Sequence, residues 1–254
     1  MPTTTSQDGT TIAFDRAGSG PALIMVDAAS CFRAFGPMGP VADALADRFT
    51  VFTYDRRGRG ESTDTPPYAV EREIDDLRAL MAEAGGSACV FGFSSGAVLA
   101  LHAAAAGLPI SRLALLEPPI DLDGEPDTAM IDRITELVAA GRGGDAIEYF
   151  NTSIGVPAEM IAGLRGSPAW PALEALAHTL VYDLTITGTL SAATLAAVPA
   201  PTLVIDSSGS DDRMGAWADQ VATLVPDGRR RTLKGDWHTV PAEDLAPALA
   251  DFCR

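Results

Sequence analysis

At 254 residues, with 47% apolar and 20% charged side chains, the chain suits one large globular domain and excludes a disordered or low-complexity class. A net charge of −16 repels phosphate backbones and anionic membranes, so a small-molecule partner is expected rather than nucleic acid or membrane. Met1-Pro2-Thr3-Thr4-Thr5 lacks a basic region followed by an apolar one. The three cysteines (Cys31, Cys89, Cys253) are widely spaced and read as reduced thiols, so the expected compartment is the cytoplasm.

In chain order, short β-branched and apolar runs alternate with amphipathic segments, the pattern of a mostly parallel sheet with crossover helices. Thr11–Phe14, Ala22–Val26 and Thr50–Tyr54 are the first expected strands. Val70, Ile74, Leu77 and Met81 recur at helical spacing and predict an amphipathic helix. Ala88–Phe91 is the next strand, and Gly92-Phe93-Ser94-Ser95-Gly96 follows it, opening an Ala-rich helix over Ala97–Ala106. Strand, tight turn and helix are the context in which G-x-S-x-G lifts a serine hydroxyl clear of a sheet, with the helix N-terminus behind it to favour an oxyanion. Ser94 is therefore the candidate nucleophile.

With this elbow in place, the chain resembles the α/β-hydrolase superfamily over nearly its whole core. That resemblance implies an α/β-hydrolase fold, a mostly parallel central sheet flanked by helices, with the core in residues 1–117 and 200–254. Residues 118–199 hold helical patterns at Ile131–Ala140, Asp145–Phe150 and Pro171–Asp183 and no convincing strand, and are expected to form a helical cap over the carboxyl edge of the sheet. Asp55-Arg56-Arg57-Gly58-Arg59-Gly60-Glu61-Ser62 is similar to the family's D-x-R-G-x-G-x-S turn, to which a structural role beside the elbow is assigned.

A serine hydroxyl needs a base near neutral pH, and the sequence holds three histidines. His238 lies after the expected edge strand Arg231–Leu233 and before a last helix marked by Leu245, Leu249 and Phe252, where the fold places its base. His102 is expected to pack in the helix after the elbow, and His178 to lie on the cap. The acid is less direct. After the strands Leu113–Leu116 and Thr202–Ile205, the usual G-x-x-D pattern would fall on residues 207–210, where this chain has serine at both ends. Asp206, Asp211 and Asp212 are displaced from that pattern, and the last two also read as a solvated loop before a helix marked by Met214, Trp217, Val221 and Leu224. Glu117 stands at the tip of a buried strand and is followed by two prolines. A carboxylate there is costly without a partner, so Glu117 is favoured as the acid, with the three aspartates as alternatives.

A narrower resemblance points the same way. Val26-Asp27-Ala28, Phe93-Ser94-Ser95-Gly96-Ala97 and Glu117-Pro118 resemble short core segments of the fungal lactonases that open resorcylic-acid macrolactones such as zearalenone. In that family the post-strand glutamate is the triad acid. Ala28 stands where the family has glycine. By position, the amides of Ala28 and Ser95 are the expected oxyanion donors, and Asp27 braces their loop. Phe32, Phe35, Met38, Trp170 and Tyr182 are candidate apolar pocket walls, and Cys31 is read as a loop residue. The expected activity is hydrolysis of a carboxylic ester or lactone of an apolar small molecule, with no cofactor or metal. Carbon–carbon bond hydrolysis by the same triad and a non-catalytic binding protein remain as alternatives. Ser94 argues against epoxide hydrolases and haloalkane dehalogenases, which carry aspartate at the elbow.

Overall fold

The apolar runs of the sequence become the middle of a sheet. In the computed structural model, which describes residues 1–120, 122 and 127–254, the strands are β1 (Thr3–Thr5), β2 (Thr11–Gly18), β3 (Ala22–Val26), β4 (Thr50–Tyr54), β5 (Ala88–Phe93), β6 (Ile110–Leu116), β7 (Thr202–Ser207) and β8 (Gly228–Leu233). They form one sheet in the order β1-β2-β4-β3-β5-β6-β7-β8. β1 and β2 run antiparallel to their neighbours, and every other pairing is parallel. Every residue of β5 and β7 is buried, as expected of parallel strands covered by helices on both faces. β8 is the edge strand, and its exposed Arg229, Arg230 and Arg231 keep that edge soluble. The sequence reading missed β1, whose three threonines carry no periodic signal.

The helices among the described residues are α1 (Met38–Leu45), α2 (Val70–Glu83), α3 (Ser95–Ala105), α4 (Thr128–Ala139), α5 (Gly143–Ile154), α6 (Ala158–Arg165), α7 (Trp170–Ala175), α8 (Leu180–Gly188), α9 (Ala192–Ala196), α10 (Asp212–Leu224) and α11 (Ala242–Phe252). On one face of the sheet α2, α3 and α10 bury Ile74, Leu77, Val98, Leu101 and Val221. On the other, α1 and α11 bury Val41, Leu45, Leu245 and Leu249. α4 to α9 lie between β6 and β7; α4 to α8 build a third cluster around Ile134, Leu137, Ile147, Phe150 and Leu180, while Leu195 of α9 joins the first. Residues 121 and 123–126, in the first part of the expected cap, lie outside the described residues. The single helix expected over Pro171–Asp183 is broken into α7, a 3-10 turn at Ala177–Thr179, and α8. Thr179 causes the break locally: its amide (2.9 Å) and its hydroxyl (2.8 Å) both donate to the Leu176 carbonyl, tightening the turn.

One reading from the sequence is corrected. Cys89, in β5, and Cys253, just past α11, are joined in a disulfide, leaving Cys31 as the free thiol. They are 164 residues apart, and only the docking of α11 against the sheet brings them together. This withdraws the support that the cysteines lent to a cytoplasmic location. Among the described residues, no helix is long and apolar enough to cross a membrane.

The strand register brings the chemically active residues to one edge. Val26 pairs with Gly92, Phe93 with Leu116, and Leu116 with Ile205. Asp27, Ser94 and Glu117, just past their strands, and Ser207, the last residue of β7, therefore share the carboxyl edge of the sheet, where open α/β sheets bind ligands.

Candidate active site

Ser94 sits between β5 and α3 at φ 53°, ψ −125°. Its amide donates to the Leu116 carbonyl of the neighbouring strand at 2.9 Å, and its own carbonyl accepts from the Ala97 amide at 2.9 Å, closing the turn. The flanking glycines are steric necessities. A Cβ on Gly92 would lie 2.6 Å from Ala97 Cα, and one on Gly96 would lie 2.3 Å from the Val26 carbonyl oxygen. Gly96 is thus where the elbow touches the loop after β3. Ser95 is the first residue of α3, where helix geometry leaves its amide without an intrahelical partner.

His238 lies on a turn closed by paired backbone hydrogen bonds between Asp236 and Thr239, of 3.0 and 3.3 Å. Its Nδ1 is 2.7 Å from Glu117 Oε2, which leaves Nε2 for proton exchange. Glu117 is 2% exposed, and its Oε1 accepts from the Ser207 amide at 2.7 Å. Ser207 and Ser210, which replace the ends of the usual G-x-x-D pattern, brace this arrangement. Ser207 Oγ donates to the Asp236 carbonyl at 2.6 Å, and Ser210 Oγ accepts from the His238 amide at 2.9 Å.

The alternative acids are engaged elsewhere. Asp206 holds Arg230 through two contacts of 2.8 Å and accepts from the Thr232 hydroxyl. Asp211 caps α10 by accepting from the Met214 amide at 3.1 Å, and Asp212 is exposed in its first turn. Of the other histidines, His102 is within 3.0 Å of the Ile186 carbonyl, and burial lowers its pKa. His178 faces Asp64 at 3.4 Å.

The loop after β3 is braced from two sides. Asp27 Oδ1 accepts from the Ala28 amide at 2.8 Å, so an oxyanion at Ala28 must compete with a carboxylate for that hydrogen. Burial raises the Asp27 pKa to about 6, against the opposing hydrogen bond from Ala28. Cys31 lines the cavity, but burial and the nearby Asp27 push its thiol well above the ordinary range, which disfavours the thiolate form there. The second brace is the arginine turn expected beside the elbow, and what sequence reasoning missed is its anchor, Asp183. Arg56, Arg57 and Arg59 are each 1% exposed. Arg57 pairs with Asp76 through contacts of 2.8 and 2.7 Å, and Arg56 pairs with Glu73 through two of 2.8 Å. Arg56 and Arg59 also both bind Asp183 of α8. No local pattern marks Asp183, because its partners lie 124 and 127 residues earlier.

Ser94, Ser95, Ala28 and His238 border one cavity of about 360 Å³. Its remaining walls are mostly apolar: Phe150 and Ile154 of α5, Met160 and Leu164 of α6, Leu184 of α8, Met214 and Trp217 of α10, and Trp237. None of the five wall residues expected from the sequence borders it. Phe32 and Phe35 close a turn on each other, Met38 faces α11 beneath the sheet edge, and Trp170 packs within the α4–α5 cluster. Tyr182 stacks on Tyr68 with ring centroids 3.9 Å apart and donates to Asp64 at 2.7 Å. Among the described residues, no group of three or more His, Cys, Asp and Glu side chains is placed to hold a metal ion.

Comparison with known proteins agrees with this architecture. The chain is 47% identical to an alpha/beta hydrolase from Sphaerobacter thermophilus DSM 20745, whose crystal structure matches with a TM-score of 0.91 over 99% of each chain. The enol-lactonase from Burkholderia xenovorans LB400 shares the fold at 20% identity, with a TM-score of 0.75 over 98% of this chain and 97% of that one. N-formylmaleamate deformylase of Pseudomonas putida is 36% identical over 111 residues, 42% of this chain and 41% of its own. The uncharacterized hydrolase YraK of Bacillus subtilis is 38% identical over 97 residues, 37% of this chain and 35% of its own. The chain thus spans about two fifths or less of the length of these two curated relatives. The sequence profile of the alpha/beta hydrolase family covers residues 17–252, and the chain belongs to that family.

Proposed function

We propose that the protein is a serine hydrolase that cleaves a carboxylic ester or lactone of an apolar small molecule, with Ser94 as nucleophile, His238 as base and Glu117 as acid. The observation that carries this reading is the 2.7 Å contact between the buried Glu117 carboxylate and His238 Nδ1, beside a cavity that Ser94 also borders. Glu117 fixes the imidazole tautomer and stabilises its charged form, so Nε2 can accept the Ser94 proton as the hydroxyl attacks the carbonyl. The tetrahedral oxyanion rests on the Ser95 amide, an unshared donor of the kind that contributes about 3 kcal/mol at the transition state, and shares the Ala28 amide with Asp27. His238 then protonates the leaving alcohol, and a water activated by the same imidazole cleaves the acyl-enzyme. For a lactone, acid and alcohol leave as one molecule.

Mostly apolar walls around few polar groups suit an uncharged acyl portion. The elbow and post-strand segments that resemble the macrolactone hydrolases favour a lactone within that class. A second reading, attack on a formamide-type carbonyl, is favoured by the partial match to the deformylase. To test the main reading, turnover of p-nitrophenyl esters of increasing acyl length and of macrocyclic lactones is measured for wild type and Ser94→Ala. Wild type is expected to hydrolyse at least one of them, and Ser94→Ala to lose a factor of about 10³ or more in kcat. Equal rates for the two proteins would overturn it.

A further inference from the structure

One buried carboxylate at the cavity has no part in the proton relay. Asp183 is 2% exposed, and it comes from α8 of the helical insertion rather than from the sheet. Its Oδ1 accepts from Ser95 Oγ at 2.7 Å and from Arg56 Nη1 at 2.7 Å, and its Oδ2 accepts from Arg59 Nη2 at 2.7 Å. Each partner leads to an oxyanion donor. Ser95 supplies the elbow amide. Arg59 Nη1 donates to the Ala28 carbonyl at 2.6 Å and to the Cys31 carbonyl at 3.4 Å, while Arg56 Nη1 reaches the Asp27 carbonyl at 3.3 Å. Arg56 is held from behind by Glu73, which also accepts from the Tyr68 hydroxyl at 2.9 Å. The core thus supplies a fixed pair of guanidinium groups, and the insertion supplies the anion that closes the network.

We propose that Asp183 is a positioning residue that sets the oxyanion hole, aligning the Ser95 amide and the Ala28 loop at once and so making the docking of α8 a condition of turnover. The inference rests on the serine-hydrolase reading and adds to it a residue outside the triad. Burial alone would raise the Asp183 pKa, but Arg59 and Arg56 outweigh it and hold the carboxyl below its usual range, so the anchor stays charged. Oxyanion donors act through fixed geometry, and a small displacement forfeits transition-state stabilisation without weakening ground-state binding. The helix that carries Asp183 also presents Leu184 and Thr187 to the cavity, so the element that contacts substrate is the one that tunes the hole.

The test compares wild type, Asp183→Asn and Ser95→Ala, which keeps its backbone amide. It measures kcat and KM on a p-nitrophenyl ester and Ki for a trifluoromethyl ketone, which forms an oxyanion on the nucleophile. Asp183→Asn is expected to lower kcat by about 10- to 100-fold and to raise the ketone Ki by a similar factor, with KM within about twofold. Ser95→Ala moves the same two quantities in the same direction by a smaller factor. A merely structural role would lower the yield or melting temperature and leave the ketone Ki of the folded protein unchanged. Folded Asp183→Asn with wild-type kcat and Ki overturns the proposal. Should Asp183→Asn not fold, Ser95→Ala decides, and wild-type values there overturn it equally. A wild-type protein inert on every ester and lactone instead overturns the functional reading, and this inference with it.

Discussion

Among the described residues, the non-glycine residues with φ in the left-handed region are Ser30, Ser94, Glu117 and His238. Three of them are the proposed triad, and Ser30 borders the same cavity. Such φ values cost of order 1–3 kcal/mol each and persist only where the surroundings over-determine them. Here the surroundings are hydrogen bonds to the strand ends, the Ser94 amide to Leu116 and the Glu117 amide to Ile205 at 2.9 Å, and for His238 a bond from its amide to the Ser210 hydroxyl in the loop after β7. Glu117 as acid yields a sharp contrast between two variants. Glu117→Gln, which keeps the shape but lets the imidazole take the wrong tautomer, is expected to lower kcat by about 10³- to 10⁴-fold. Asp206→Asn, which loosens only the contacts to Arg230 and Thr232 on β8, should stay within about threefold of wild type. A steady-state comparison on one activated ester checks both. Asp27 gives a pH prediction. Its carboxyl ionises near 3.8 when unfolded and at about 6 when folded. The folded state therefore holds the extra proton between those values, and stability falls as pH rises through that window. The loss reaches about 3 kcal/mol above pH 6. Asp27→Asn removes the term. Urea unfolding should show the variant gaining stability over wild type from pH 4 to pH 7, and a difference that does not change with pH would contradict this.

At the scale of elements, the central strands were legible because β3, β5, β6 and β7 are apolar runs bounded by turn residues, and α2 because its buried face repeats at helical spacing. Ser94 and His238, which border the same cavity, were picked out as candidates for a related reason. A strand-turn-helix motif and a loop between the last strand and the last helix are local features of the chain. Glu117 was reached by a physical argument, the cost of a lone carboxylate at a buried strand tip. The cavity wall was not legible, since an aromatic residue type does not encode which way a ring faces. Tyr182 turns to Tyr68 rather than to Ser94, and the cavity takes Phe150 and Trp217 instead. The disulfide is the clearest case of information held only in packing. It ties the strand that leads to Ser94 to the end of the helix that follows His238. Closing a loop of 164 residues stabilises by about 2–5 kcal/mol, mainly through the unfolded state. Reduction, or Cys253→Ser, is expected to lower Tm by roughly 5–15 °C while leaving kcat at 25 °C within about twofold. Differential scanning fluorimetry with and without reductant tests this, and an unchanged Tm would mean that the bond contributes nothing.

For the whole molecule, charge is divided in a way that composition conceals. The net −16 describes the surface, while the site is built on a buried, nearly balanced cluster in which Arg56 and Arg59 face Glu73 and Asp183. Such a cluster is tolerated because every charge in it is paired, and removing one member of a buried pair costs about 3–5 kcal/mol. The fold supplies this network at the carboxyl edge of its sheet, the proposed triad beside it, and a mostly apolar cavity bordered by both. Hydrolysis by these three features requires above all that Ser94 be an activated nucleophile. The most direct measurement of that property is intact-mass analysis with peptide mapping after exposure to a fluorophosphonate. A single adduct is expected on the peptide that carries Ser94, and none on Ser94→Ala. A wild-type protein that gains no mass, or a Ser94→Ala variant that labels at the wild-type rate, would contradict it.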